Sequence, residues 1–244
     1  MRMQAQLTRR RINEIYSGPK NTRIDRSART LADSLILLEH PPVYTNGRRN
    51  HGKVPEKEIQ RLRSLGCDYV ETNRGGELTF HGPGQLVVYP SLDLKDHVLG
   101  AKCFVEGLEN TVIDACAQVG VKAWAERGFP GVWVSSTQKV AALGTHVQKY
   151  VTSHGLALNC TVDMQKGFAN IVPCGLHGRE AVSLNDLVDE KDVKVSDMVP
   201  RVLSSFSRVF GCPLVPLEEL SPTTFALINK LLREAKQEDE EAGI

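Results

Sequence analysis

The chain has no long apolar run. Its densest short one is Leu35-Ile36-Leu37-Leu38, far below the roughly 18 consecutive apolar residues that a membrane-crossing helix needs, which excludes a helical span. It also lacks an excess of either charge. Thirty Lys and Arg stand against 29 Asp and Glu, a net +1, without the basic surplus of a generic nucleic-acid binder. MRMQAQLTRRR has no apolar h-region, so no secretory signal is read there. Six cysteines, at 67, 103, 116, 160, 174 and 212, permit disulfides, but a chain of 244 residues buries a core without such staples. They are expected to be reduced, in cytosol or mitochondrial matrix. No internal repeat or low-complexity tract occurs. With 41% hydrophobic and 24% charged residues, the composition excludes a wholly disordered chain, a collagen and a long coiled coil.

Three regions follow. Residues 1–30 carry eight basic residues (Arg2, Arg9, Arg10, Arg11, Lys20, Arg23, Arg26 and Arg29) against Glu14 and Asp25. An Arg-rich, acid-poor start reads as a transit peptide or as a solvated basic first helix. Residues 31–235 are expected to form a single globular domain, and residues 236–244 a charged tail. Pro55–Leu65 reads as a short helix stopped by Gly66, with Ile59, Leu62 and Leu65 in one stripe. Phe104, Leu108, Val112, Cys116 and Val119 recur at helical spacing up to Gly120. Strands are predicted over Asp68–Thr72, Glu77–Phe80 and Gln85–Tyr89, the last closed by Pro90. Gly131–Ser135, Lys139–Tyr150 and Gly155–Val162 predict an antiparallel meander. Helices near Ser196–Phe210 and Pro222–Lys236 end the chain. Strands in groups with helices beside them predict an α+β fold with a mixed, largely antiparallel sheet flanked by helices.

The densest special segment is Asn73 to Gln85: Asn-Arg-Gly-Gly-Glu-Leu-Thr-Phe-His-Gly-Pro-Gly-Gln. Glycine removes Cβ and allows close backbone approach, while Arg74 and His81 bracket the loop with a fixed charge and a titratable donor. A plain hairpin needs fewer glycines, so the loop is a binding candidate. No Gly-Lys-Ser/Thr follows, so it is not a Walker loop, and no third glycine follows Gly84, so it is not a dinucleotide fingerprint. In Pro173-Cys174-Gly175 a cysteine stands on a turn, where its sulfur can face a cleft. The other five fit the usual small buried hydrophobe. A thiol attacks only when ionised, so it needs a neighbouring base or cation. Lys139, His81, His146, His154, His177 and Arg179 are the candidates. Lys139 enters an apolar strand, as an edge charge or as a buried functional amine. Cys174 and His177 form a C-x-x-H pair, but no second pair has ligand spacing, so no metal site is expected.

The residues Leu38–Thr45, Arg74–Leu86, Gly131–Val134, Lys139–Gly144, His154–Asn159 and Pro173–Gly175 resemble, in that order, the lipoyl(octanoyl) transferase family. The resemblance runs from about Leu35 to Leu187, and six ordered blocks make it specific. It implies the fold of the lipoate and biotin protein ligases, and the transfer of an octanoyl group from acyl carrier protein to a lipoyl-domain lysine. By this resemblance Cys174 is the acyl-accepting nucleophile and Lys139 lowers its pKa. Substrate contacts are implied for Arg74, Gly75, Gly76, Glu77, Leu78, Thr79, Phe80 and His81, for Ala142, Leu143 and Gly144, and for Gly155, Leu156 and Ala157. No cofactor is implied, since the donor carries its acyl group on the carrier's phosphopantetheine arm. The implied partners are octanoyl-acyl carrier protein, the lipoyl domains of 2-oxoacid dehydrogenase E2 subunits and the glycine cleavage H protein, with no nucleic acid and no membrane, and the chain acting as a monomer. The compartment is the mitochondrion, or the cytoplasm in the alternative. Backbone N–H groups at Gly75-Gly76 or Leu143-Gly144 are the candidate oxyanion donors. The basic stretch Arg48–Lys53 is a candidate docking surface for acidic partners. An ATP-dependent ligase on the same fold and a non-catalytic carrier binder are the competing readings.

Overall fold

The computed structural model describes residues 8–9, 11–13, 16–17, 22–23, 33–163, 167–171, 178–189, 193–219 and 222–241. Residues 11–13 are helical, and β1 (Tyr16–Ser17) and β2 (Thr22–Arg23) pair antiparallel. β3 (Ser34–Leu38) and β4 (Val43–Asn46) lead to α1 (Glu56–Ser64) and then β5 (Asp68–Glu71). β6 (Thr79–His81), β7 (Gln85–Ser91) and α2 (Ala101–Ala117) follow. Then come β8 (Trp124–Glu126), β9 (Phe129–Trp133), β10 (Gln138–Gln148), β11 (Val151–Asn159) and β12 (Glu180–Ala181). α3 (Val195–Phe210) and α4 (Pro222–Glu241) end the described chain.

The strands form two larger sheets. The main one runs β3-β7-β11-β10-β9-β8, all antiparallel neighbours, with β12 added parallel to β10. The smaller one runs β5-β4-β6, parallel on one side and antiparallel on the other. This is the mixed, largely antiparallel α+β architecture that the sequence predicts, meander included.

Alternation of side chains along each strand divides the main sheet into two faces. Leu86, Val88, Leu156, Leu158 and Ala141 face α2 and α3, where they join Phe104, Leu108, Val112, Met198, Val202 and Phe206 in one core. Val87, Tyr89 and Ala157 face the other way, with Ile36 and Leu38 beside them. α2 stops where its stripe stops: Gly120 takes φ +77 and Val121 N–H bonds Cys116 O at 3.0 Å, satisfying a terminal carbonyl. A second core lies beneath the smaller sheet, where Tyr44, Leu62, Phe80 and Phe168 pack together; the Phe80 ring sits 5.2 Å from Tyr44 and 5.7 Å from Phe168.

The structure departs from the sequence reading at several points. β7 continues through Pro90 to Ser91. Its ladder to β11 ends at Val88↔Leu156, so a proline two residues further on is tolerated. β10 ends at Gln148 and β11 begins at Val151, joined by Lys149 and Tyr150 at φ +49 and +66. That two-residue loop carries none of the Asn or Gly that usually announces it. β3 and β4 were not anticipated as strands. Cys103 is exposed and Cys212 half-buried, against the expectation of burial, while Cys67, Cys116 and Cys160 are buried. Arg11 is not solvated: it is buried and paired with Asp33, which also lies 2.6 Å from His97 Nε2.

Phe104 is fully buried between the sheet and α3. Phe104→Ala should cost about 3–5 kcal/mol through lost transfer and the cavity left behind, read as a lower urea midpoint at unchanged slope.

Candidate active site

The two sheets meet over the face that carries Val87 and Ala157, and a solvent-open recess lies between them. Across its floor the strands bring Ala142, Ala157 and Val87 into one row and Gly144 and Gly155 into the next. Alanine and glycine leave space above a sheet that larger side chains would fill. Leu143 and Leu156 border the recess too, although both pack on the main core. All six residues expected from these two strand motifs therefore line it.

The glycine-rich loop contributes less directly. Of Arg74 to His81, only Arg74, Thr79 and His81 line the recess. Phe80 and Leu78 turn into the second core. Where the loop crosses β10 it lies backbone to backbone, a Cβ at Gly75 standing 3.3 Å from Thr145 O. A Cβ at Gly144 would stand 2.9 Å from Gly75 O, and one at Gly47 would stand 2.3 Å from Gly76 O. Gly75 N–H donates to Thr145 O at 2.9 Å, so it is committed to docking the loop on β10 and is not available as an oxyanion donor. Glu77 supplies its carbonyl: it accepts from Gly47 N–H at 3.2 Å and from Arg74 Nη2 at 2.7 Å.

Arg74 fastens this junction. Its guanidinium is buried and donates to Thr45 O, Thr45 Oγ1, Gly75 O and Glu77 O at 2.5–2.9 Å. A fixed positive charge thus borders the recess, and the histidines around it stay neutral. Burial pushes His81 down to about 3, with Arg74 adding to the effect, and pushes His154 and His40 down to about 4. The tautomer of His81 follows from the chain of bonds behind it. Val182 O can only accept; Asn159 Nδ2 donates to it at 3.0 Å, and Gln85 Nε2 donates to Asn159 Oδ1 at 2.8 Å. Gln85 Oε1 must therefore accept from His81 Nδ1–H, 2.7 Å away, which leaves His81 Nε2 as an acceptor. His154 takes φ +57, a left-handed conformation uncommon outside glycine. Its ring is edge-on to Tyr89, and the Tyr89 hydroxyl lies 2.8 Å from His40 Nε2.

Lys139 reaches this face through a bulge. On β9, Trp133 and Val132 are consecutive, but they pair with Lys139 and Ala141, so β10 carries one extra residue. Val140 and Ala141 both enter the main core. In a regular strand Lys139 would share a face with Ala141; the extra residue puts it on the face of Ala142 and Gly144. It is no edge charge, since β9 pairs with it on one side and β12 on the other. Lys139 Nζ donates to Pro130 O at 3.2 Å and sits 4.5 Å from the centre of the Trp133 ring. Arg179 lies over the same ring at 4.6 Å and bonds Glu126 at 3.1 Å.

Cys174 and His177 lie outside the described residues. Of the other candidate bases, His81 and His154 line the recess, while His146 stands apart from it, 3.5 Å from Arg48. Within the basic stretch, Arg48 and Arg49 are exposed, Lys53 donates to Arg49 O at 2.9 Å, and His51 lies 3.3 Å from Glu71. The sequence reading missed Thr45, Thr72, Val87 and Tyr89 as lining residues. The period-two spacing of Val87 and Tyr89 was the available signal, but choosing their face requires the sheet order.

Known proteins bear on this arrangement. The model of the lipoyl protein ligase A/B catalytic domain matches residues 21–207. The chain is 46% identical over 188 residues to the mitochondrial octanoyl-[acyl-carrier-protein]:protein N-octanoyltransferase of Danio rerio, covering 77% of this chain and 82% of that one. It is 40% identical to a putative mitochondrial lipoyltransferase 2 of Drosophila melanogaster, covering 87% and 85%. It is 39% identical to an octanoyltransferase of Acidobacterium capsulatum, covering 77% and 81%. Among solved structures, a lipoate-protein ligase A bound with ATP superposes with a TM-score of 0.65 at 13% identity, covering 93% of this chain and 88% of that one. A putative lipoate protein ligase of T. acidophilum with bound lipoic acid gives 0.63 at 13% identity, covering 99% and 94%.

The neutral histidines set a pH dependence. In the unfolded chain each titrates near 6.5, while in the fold they resist protonation down to about 3–4. The unfolded state therefore binds more protons between those values, and stability falls as pH drops through that window. The urea midpoint should fall steadily from pH 7 to pH 4, with three histidine proton signals that do not titrate above pH 5 in the folded protein.

Proposed function

The chain belongs to the lipoyl protein ligase A/B catalytic-domain family and is an acyltransferase that transfers octanoyl groups in protein lipoylation; from that premise we propose that it carries the acyl group as a thioester on Cys174, with Lys139 as the proton acceptor and donor. The observation that carries this reading is the bulge at Val140, which turns Lys139 to the face holding the Ala142–Ala157 recess. Chain connectivity adds to it: Ala181, directly paired with Lys139, lies only seven residues beyond Cys174.

The steps follow from these positions. The Cys174 S–H proton passes to Lys139 Nζ. The thiolate attacks the carbonyl of the octanoyl thioester, and the carrier's thiol leaves with the proton held by Lys139. A lipoyl-domain lysine amine then attacks the Cys174 thioester. Its proton goes to Lys139, an amide forms, and the Cys174 sulfur is released. One thioester is exchanged for another in the first half, so no ATP and no cofactor enters. The acyl chain lies over Ala142, Gly144, Gly155 and Ala157, between Val87 and Tyr89 on one side and the Arg74–His81 loop on the other. Arg74 acts mainly by holding that loop in place.

The partners are an acyl carrier and lipoyl domains. Octanoyl-acyl carrier protein as donor, with the lipoyl domains of 2-oxoacid dehydrogenase E2 subunits and the glycine cleavage H protein as acceptors, completes the proposal. Exposed Arg48 and Arg49 suit acidic partners. The chain works in the mitochondrion, as the fish and fly relatives do by name; we take the matrix as its compartment and the monomer as its working form.

Incubation with octanoyl-acyl carrier protein should add one octanoyl mass to Cys174, and an adduct on exposed Cys103 instead would overturn the assignment. Cys174→Ala should abolish transfer. Lys139→Ala should slow acyl-enzyme formation by about 10²–10⁴-fold, the usual contribution of a positioned proton-transfer group, with melting temperature unchanged. Labelling of a lipoyl domain that needs ATP and survives Cys174→Ala would favour a ligase.

A further inference from the structure

Glu109 is a carboxylate with no role in the steps above, yet it is buried on the inner side of α2. Buried carboxylates are rare unless something holds them. Glu109 Oε1 accepts the backbone N–H of Gly131 at 3.0 Å. The other end of that same peptide group is Pro130 O, which accepts from Lys139 Nζ at 3.2 Å. One amide plane therefore has a carboxylate on its N–H and an amine on its C=O. A negative charge at the N–H end polarises the amide and makes its carbonyl a stronger acceptor for an ammonium.

Gly131 is suited to this junction. At φ +138, a Cβ there would stand 3.0 Å from Lys139 Cε and 2.9 Å from Ala141 O, so only glycine lets the lysine stem pass. The Trp133 ring supports Lys139 Nζ from another side. Among the described residues, three further charged groups act near the pair. Glu106 acts on Glu109 from the same helix, and Lys139 faces it from β10. Arg179, tied to Glu126, shares the Trp133 ring with Lys139. Burial raises the Glu109 carboxyl above its ordinary value, with Gly131 N–H and Lys139 pulling back.

We propose that Glu109 is a positioning residue for Lys139, acting through the single peptide group between Pro130 and Gly131 to hold the amine in place and favour its protonated form. The inference rests on the reading of Lys139 and Cys174 as a working pair. It adds a third member to that pair, one argued to act through the lysine.

Glu109→Gln tests it cleanly, because the amide oxygen can still accept from Gly131 while the charge is gone. The readout is the rate of Cys174 alkylation by iodoacetamide against pH, in a background with the other five cysteines replaced by serine or alanine. If Lys139 holds its proton less well, the thiolate forms less readily. The alkylation rate at pH 7–8 should then fall by about three- to tenfold, up to a tenfold shift in one ionisation. The difference should vanish at lower pH, as wild-type Glu109 itself takes up a proton. Glu109→Asp, which keeps the charge, should recover part of the rate. In a Lys139→Ala background Glu109→Gln should add nothing.

The controls separate two failures. An alkylation profile unchanged by Lys139→Ala sinks the pair itself, and this inference with it. A profile moved by Lys139→Ala but not by Glu109→Gln, or moved equally by Glu109→Gln in both backgrounds, overturns the role of Glu109 alone. A readout that needs no variant to fold is the Lys139 Nζ signal in ¹⁵N-lysine-labelled wild type. An inflection at the pH where Glu109 ionises is expected, and a single-step curve refutes the coupling.

Discussion

One inserted residue decides what β10 can do. Side chains alternate along a strand, so a lysine two places before a core alanine belongs in the core. Val140 breaks that count: it and Ala141 both pack inward, and Lys139 emerges on the opposite face, in line with Ala142 and Gly144. The place of Lys139 on the recess face depends on that extra residue. It sets the amine beside β12, over Trp133 and against the Pro130 carbonyl. A ladder without the bulge would bury an ammonium among Leu and Val side chains, at a cost of several kcal/mol.

The second constraint is how closely two sheets can approach. The smaller sheet reaches the main one through a loop whose backbone lies almost on β10. Gly47, Gly75 and Gly144 are small because backbone oxygens occupy the space where a Cβ would be. Arg74 donates to Gly75 O and to the neighbouring Thr45 and Glu77 carbonyls, which explains how a full charge can be buried next to an apolar floor. Recess and loop are one construction: the contacts that seat the loop on β10 also frame the space above Ala142 and Ala157.

Much of this was legible in the sequence, and the remainder was hidden for physical reasons. The α2 stripe from Phe104 to Cys116 and its stop at Gly120 read directly, because helical period and a left-handed terminator are local properties. The two small-residue strand motifs were singled out through the family resemblance, and all six of their residues reach the recess. The glycine loop was legible as special but not as to why. A glycine that meets a ligand and one that meets a carbonyl look the same until the partner strand is known. The Lys149-Tyr150 turn was unreadable because two bulky residues adopt a conformation that sequence patterns reserve for Gly and Asn. The bulge was unreadable too, since register is a relation between strands. Tyr89 was passed over as a lining residue although its strand was read, because the face it takes depends on which strands flank β7.

The recess has walls from both sheets, Thr45 and Thr79 on one side and Ala142 and Ala157 on the other. Whatever fills it becomes a strut between two layers otherwise joined mainly through a loop. A chain that binds only the folded form adds its binding free energy to the stability of the whole. Heat resistance is therefore tied to occupancy of the recess: with a ligand seated between the layers the fold should melt later than with the recess empty.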